Sequence, residues 1–213
     1  MGWNLYFITD SNYSKNGAVK DAVLAADCGA GVIQYREKNK EKKEQIKDAK
    51  KIMKKINGRN IFIINDFVEV AKESNADGVH LGQEDGSIEK ARKMLGKNKI
   101  IGVTVHNLME AIEAEKHGAS YLGISPIFST PTKADAGKPC GVELIKEIKK
   151  HSSIPLIGIG GITEENCIKV IQSGADGVAV ISDIYKAKDF CGKIRKLNEV
   201  ISNAKAKKEI NKK

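Results

Sequence analysis

Several short polar clusters interrupt otherwise apolar runs of this chain, and their residue types suit phosphate chemistry. In GVIQYREK (residues 31–38), Arg36 and Lys38 follow an apolar stretch and stand two apart. In an extended chain they therefore point to one side, a pair of aligned cations suited to an anion. Asn65 and Asp66 end NIFIIND, and Glu84 and Asp85 follow GVHLGQ. Carboxylates in such places are oxygen ligands for Mg²⁺, which often bridges to substrate phosphates. The competing reading is helix capping, by Asp66 of a helix near Phe67 and by Asp85 of one near Ile88. Gly160 and Gly161, in GIGGIT, precede Thr163. A glycine turn feeding a helix there offers bare N–H groups and the positive end of the dipole to a phosphate. Lys133 lies between Pro131 and Pro139 in SPIFSTPTKADAGKPCG, residues 125–141. So long a loop in a compact domain is more often functional than not, against the plainer reading of a solvated lysine. His106 has no Cys or Ser partner that would make a triad. His80 reads as a core or rim histidine, and Tyr6 and Tyr121 as interior packing residues.

These residues need a frame that brings them together. Eight β-rich apolar runs recur, at 3–9, 31–36, 60–66, 78–82, 99–105, 120–125, 154–160 and 177–182. Between them lie segments with helical spacing, among them 107–118 and 163–174. The second of these is expected to start at Thr163 as N-cap and to close with Gly174. Strand and helix in alternation mean parallel strands with right-handed crossovers. Eight units at about 23 residues each suit a small α/β fold, the single-domain (β/α)8 or TIM barrel, better than a doubly wound sheet. CGAGVIQ, NADGVHLG, HGASYLG and SGADGVAV enter strands two, four, six and eight in the same small-residue manner, a weak repeat that fits a barrel. Its active site forms where the strands end, which is where the polar clusters fall. Residues 1–202 form the expected barrel, and 203–213 a basic, frayed tail.

Composition narrows the partners. The chain has 213 residues, enough for one sizeable core. No window approaches the ~18 unbroken apolar residues of a membrane helix, and residues 1–10 resemble a first strand more than a signal peptide. Met1-Gly2 is not read as a lipidation start, because Trp3 to Ile8 belongs in a core. The formal charge is +9. Much of it lies in the tail and in 38–55, where Ile46, Ala49, Ile52, Met53 and Ile56 keep helical spacing and leave the lysines on a solvated face. Aromatics are 5% and mostly inside apolar runs, so a nucleic-acid surface is not expected. Cys28, Cys140, Cys167 and Cys191 make no CxxC and no disulfide framework, which suggests a reducing, cytoplasmic location with unpaired thiols. The residues alone thus point to a barrel enzyme that binds two phosphate-bearing groups, one with Mg²⁺ and cations and one at a glycine turn.

Taken together, QYREK (34–38), IINDFVEVA (63–71), ADGVHLGQED (76–85), IGVTVHN (101–107), SPIFSTPTK (125–133) and GIGGITEEN (158–166) resemble the thiamine phosphate synthase family, in order and over roughly residues 4–185. The resemblance implies a transferase that joins an aminopyrimidine diphosphate to a thiazole phosphate and releases pyrophosphate. It implies that Gln34, Arg36, Lys38 and Asn65 hold the pyrimidine diphosphate, with Tyr35 and Glu37 in the same segment although Glu37 should point away. Asp66 and Asp85 would bind Mg²⁺, and Thr104 would stand where the family usually has serine. Lys133 would reach the pyrophosphate. Thr130, Pro131, Thr132, Gly161 and the backbone of Ile181 and Ser182 would receive the thiazole phosphate. The implied mechanism is dissociative, with Arg36, Lys38, Lys133 and Thr104 as catalytic residues around the leaving group. One alternative is a relative of the thiazole tautomerases, which carry a histidine near the position of Pro126 and tend to lose the metal aspartates. Another is a non-catalytic phosphate-ligand sensor, which would have no need of leaving-group residues.

Overall fold

A computed structural model of the chain describes residues 2–132 and 137–210. In chain order it runs β1 (Leu5–Ile8), α1 (Ala18–Asp27), β2 (Val32–Tyr35), α2 (Lys42–Ile56), β3 (Ile61–Asn65), α3 (Val68–Ser74), β4 (Gly78–Leu81) and α4 (Ile88–Leu95). It continues with β5 (Ile100–Val105), α5 (Leu108–Lys116), β6 (Tyr121–Ile124), α6 (Glu143–Lys149), β7 (Leu156–Ile159), α7 (Cys167–Gln172) and β8 (Gly177–Val180). Two helices end it, α8 (Ser182–Tyr185) and α9 (Phe190–Ile210). Each strand pairs in parallel with its chain neighbour, and β1 pairs with β8, which closes the barrel. A strand lies within each of the eight apolar runs read from the sequence.

The alternation of side chains along each strand divides the core in two. Tyr6, Ile8, Val32, Ile63, Tyr121, Ile157 and Ala179 pack inside the barrel. Leu5, Phe7, Ile33, Phe62, Ile64 and Val79 face outward against the helices. Both faces are buried, which is why the strands read as continuous apolar runs rather than as alternating ones. α2 turns Ala49, Ile52 and Ile56 to the strands, as its spacing required. It ends at Asn57 in the left-handed conformation that closes many helices.

Three expectations need correction. Regular helix does not begin at Thr163: α7 starts at Cys167 with Asn166 at its N-cap, after a turn in which Cys167 N donates to Thr163 O. Asn166 Oδ1 accepts from Thr163 N at 2.9 Å, so it is the asparagine side chain that ties this turn. The boundary near residue 202 does not appear either, because α9 continues to Ile210. Ala204 is buried, and Lys205 Nζ donates to Asn4 Oδ1 and Asp176 O beneath the barrel. Finally, two of the four cysteines are paired. Cys28 and Cys191 form a disulfide, with Cα atoms 5.1 Å apart and 163 residues between them in the chain. Spacing in sequence could not show this, since closure of the barrel is what sets α1 against α9. Cys140 and Cys167 are free. Among the described residues, no helix is long and apolar enough to cross a membrane.

Candidate active site

The strand ends converge on a cavity of about 540 Å³. Arg36 and Lys38 reach it from the end of β2, Asn65 and Asp66 from β3, Gln83, Glu84 and Asp85 from the loop after β4, and Thr104 from β5. Asp66 sits at φ 65°, a left-handed turn that ends β3, with its N–H donating to His80 O at 2.9 Å. A side chain held in that strained region normally has a reason to be there. Neither aspartate caps a helix. α3 has Phe67 at its N-cap without a side-chain bond, and α4 is capped by Ser87, whose hydroxyl accepts from Lys90 N. Asp85 Oδ2 instead accepts from Gly82 N at 2.8 Å.

Each of the two cations from β2 is paired with an aspartate. Lys38 Nζ lies 2.5 Å from Asp66 Oδ2. Burial raises the Asp66 carboxyl above the usual range; the Lys38 bond opposes this, and the adjacent Asp85 carboxyl adds to it. Two carboxylates held side by side, one of them buried, make a place where a cation would relieve both repulsion and desolvation. Arg36 donates from Nη1 to Asp10 Oδ2 at 2.5 Å, and the Asp10 side chain is wholly buried. Thr9 brackets the same arginine: its hydroxyl accepts from Arg36 N and donates to Arg36 O. Arg36 Nε is buried without a hydrogen-bond partner among the described residues.

A second, smaller cleft adjoins the first, and Ser125 lines both. Thr130, Thr132, Gly160, Gly161, Ile181 and Ser182 form its walls. Gly161 has φ 62°, and a Cβ there would lie 2.5 Å from Ser129 O, so the turn is glycine because the β6–α6 loop packs on it. The helix at this corner is the short α8 after β8 rather than α7. A short extra helix beside the loops after strands seven and eight is a frequent phosphate-binding arrangement in such barrels.

Some expected residues stand elsewhere. Gln34 faces the barrel interior, where its amide nitrogen donates to Tyr6 Oη at 2.8 Å. Tyr35 points the opposite way, into the outer core, with its hydroxyl 3.4 Å from Asp48 Oδ2. Glu37 is buried away from the cavity and accepts from Asn39 N, which agrees with its expected orientation. The alternation that aligns Arg36 with Lys38 is what sends Tyr35 and Glu37 to the other side. Pro131 is exposed beside the two threonines. Lys133 lies outside the described residues. His106 is tied to Glu110 in a capping arrangement at the start of α5.

Two features escaped the sequence reading. Asp10 follows β1 in the string ITD, the same apolar-to-polar change that marked the other strand ends. Tyr6 and Tyr121, taken for interior packing, join His80 and two expected site residues in a line of hydrogen bonds: Gln34 Nε2 to Tyr6 Oη, Tyr6 Oη to Tyr121 Oη at 2.7 Å, Tyr121 Oη to His80 Nδ1 at 2.8 Å, and His80 Nε2 to Thr104 Oγ1 at 2.8 Å. Inward parity on five strands was the available signal, but it cannot say which polar atoms meet.

The thiamine monophosphate synthase family model matches residues 5–184 of the chain. The thiamine-phosphate synthase of Methanosarcina mazei is 47% identical over 202 residues, covering 95% of this chain and 84% of the relative. That of Chloroflexus aurantiacus is 41% identical, covering 95% and 94%. Among solved structures, thiamine phosphate pyrophosphorylase from Pyrococcus furiosus superposes with a TM-score of 0.86 at 35% identity, covering 95% of this chain and 96% of its own.

Proposed function

The chain belongs to the thiamine monophosphate synthase family, and from that premise we propose how its residues divide the work of the transfer. The enzyme condenses a pyrimidine diphosphate with a thiazole phosphate to give thiamine phosphate. In our reading the larger cavity takes the pyrimidine and its diphosphate, and the smaller cleft takes the thiazole phosphate. The observation that carries this is the meeting of Lys38, Asp66 and Asp85 in one cavity that shares Ser125 with the cleft at Gly161 and Ser182.

Asp66 and Asp85 fit Mg²⁺, a hard cation that takes one or two carboxylates and keeps several waters. When bound, Mg²⁺ supplies positive charge to the departing pyrophosphate. Lys38, released from Asp66 by a competing diphosphate oxygen, holds the leaving group from the β2 side. Arg36, fixed by Asp10 and Thr9, presents its guanidinium edge at the cavity wall without having to reorganise, the condition under which electrostatic stabilisation is most effective. Thr104 offers its hydroxyl, and Asn65 its amide, to the same ligand. Lys133 serves as a further cation for the pyrophosphate. Thr130, Thr132, Gly161 and the peptide at Ile181 and Ser182 hold the thiazole phosphate so that its ring nitrogen faces the pyrimidine methylene. Pyrophosphate leaves first, the electron-rich aminopyrimidine stabilises the methylene cation, and the thiazole nitrogen then attacks. No protein nucleophile is required. The test is direct: purified protein, Mg²⁺ and both phosphorylated heterocycles should yield thiamine phosphate and pyrophosphate in equal amounts, and absence of either product would sink the reading.

A further inference from the structure

We propose that Tyr121 is a positioning residue for the transfer: acting through His80, it fixes the Thr104 hydroxyl as a hydrogen-bond donor into the larger cavity. The proposal rests on the reading of that cavity as the diphosphate site. The observation is the line of polar groups that crosses the barrel interior from β2 and β1, through β6, to β4 and β5. All five residues are buried: Gln34, Tyr6, Tyr121, His80 and Thr104.

The direction of the bonds follows from counting protons. The Gln34 amide nitrogen can only donate, so Tyr6 Oη accepts from it. Tyr6 must then place its own proton. Its one other hydrogen bond among the described residues is to Tyr121 Oη, so Tyr6 donates there. Tyr121 in turn donates to His80 Nδ1, which must therefore be the unprotonated ring nitrogen. The ring proton sits on Nε2 and goes to Thr104 Oγ1. Thr104 accepts at one end, and its hydroxyl proton is left to point into the cavity that Thr104 lines. The reverse direction would leave the Tyr6 proton buried without an acceptor, a costly state for a polar group. Burial also drives both phenols well above their ordinary pKa, so they remain protonated donors.

The backbone makes room for this line at some expense in side-chain volume. A Cβ on Gly102 would fall within the Tyr121 ring. A Cβ on Gly123 would stand 2.8 Å from Ile159 Cδ1 and 3.0 Å from His80 Cε1. Neither glycine has positive φ, so each is glycine for space alone. Packing would be better served by larger apolar residues in a strand; two inward glycines next to two polar rings indicate that ring placement takes precedence.

The test has two independent arms. The chain has four histidines, few enough for their rings to be separated in a long-range ¹H–¹⁵N NMR spectrum. His80 should be the Nε2–H tautomer, and in Tyr121→Phe its Nδ1 signal should move toward that of an imidazole nitrogen with no donor. In steady state, Tyr121→Phe should lower kcat by about tenfold, the effect of one misdirected hydrogen bond, with KM for the thiazole phosphate unchanged. In a Thr104→Ala background the same change should have little further effect, and Thr104→Ser should restore the response. A wild-type Nδ1–H tautomer overturns the proposal, as do multiplicative losses in the double variant, which would mark Tyr121 as a packing residue only. If Tyr121→Phe does not fold, the tautomer of wild-type His80 still decides the proposal. Failure of the wild-type protein to form thiamine phosphate would count against the proposed function, while the tautomer would still decide whether the line runs in this direction.

Discussion

Replacing Asp10 by asparagine removes a single negative charge from beneath Arg36 and nearly conserves shape. Asp10 is wholly buried and 2.5 Å from Arg36 Nη1, while the arginine side chain is 12% exposed. Among the described residues Arg36 Nε has no hydrogen-bond partner, so there the guanidinium depends on that carboxylate for its compensation. Breaking a buried ion pair from one side costs about 3–5 kcal/mol, because the other charge is left uncompensated. The slight exposure of Arg36 places the cost at the lower end, about 3 kcal/mol. For a chain of this length each kcal/mol moves the midpoint by roughly 2–4 °C, so Tm should fall by about 6–12 °C. The Asn12 N bond to Asp10 Oδ1 is retained by asparagine, which keeps the β1–α1 turn in place. Thermal unfolding followed by circular dichroism measures the loss. Pairing Asp10→Asn with Arg36→Met should recover most of it, since the orphaned charge is then gone. Added pyrophosphate should raise the Tm of Asp10→Asn more than that of wild type, because the freed guanidinium faces the anion cavity. A single variant that melts within about 2 °C of wild type would refute the reasoning, as would a double variant no more stable than the single.

Other consequences can be checked alongside. Asp66→Asn should reduce turnover by on the order of 10²-fold or more while leaving the melting temperature equal to or above that of wild type, since burial and the neighbouring Asp85 already disfavour its charge; near-wild-type rates would remove Asp66 from the site. Removing residues 205–213 takes away the Lys205 bonds to Asn4 and Asp176, at the barrel end opposite the rim, so Tm should drop by a few degrees, on the order of 1–2 kcal/mol, with kcat within about twofold. Asp48 is opposed by burial, yet its bonds to Lys40 and Lys51 hold its carboxyl below the ordinary value. A depressed carboxyl stabilises above its unfolded pKa of about 4 and loses that contribution as pH falls through the folded value. Asp48→Asn should therefore melt lower than wild type at pH 7, with the gap closing below about pH 4 in a pH series of melts.

The eight strands were legible because each is a local run of β-branched and apolar residues, and a barrel with both faces buried leaves those runs unbroken. Lys38, Asp66 and Asp85 were legible because a polar residue at the end of such a run has no place in a core. What was hidden depends on strand pairing and closure. Asp10 meets Arg36 only after β1 has paired with β2, and Tyr6 meets Tyr121 only across the interior of the closed barrel. Thr163 was a sound cap by type, but Asn166 took over the turn through its side chain, a choice between neighbours that composition does not decide. The four-residue α8 is too short to produce a periodicity at all.

The bridge from Cys28 to Cys191 has a topological consequence. It joins the end of α1, after the first strand, to α9, the last helix, so that the peptide between them, with the strands that reach the rim from β2 onward, becomes a covalent ring. A protease that nicks that ring once, in any of its loops, does not release a fragment: the cut opens the ring, but both pieces stay tethered through the bridge. Only a second cut, or a reductant, turns the nick into a dissociation.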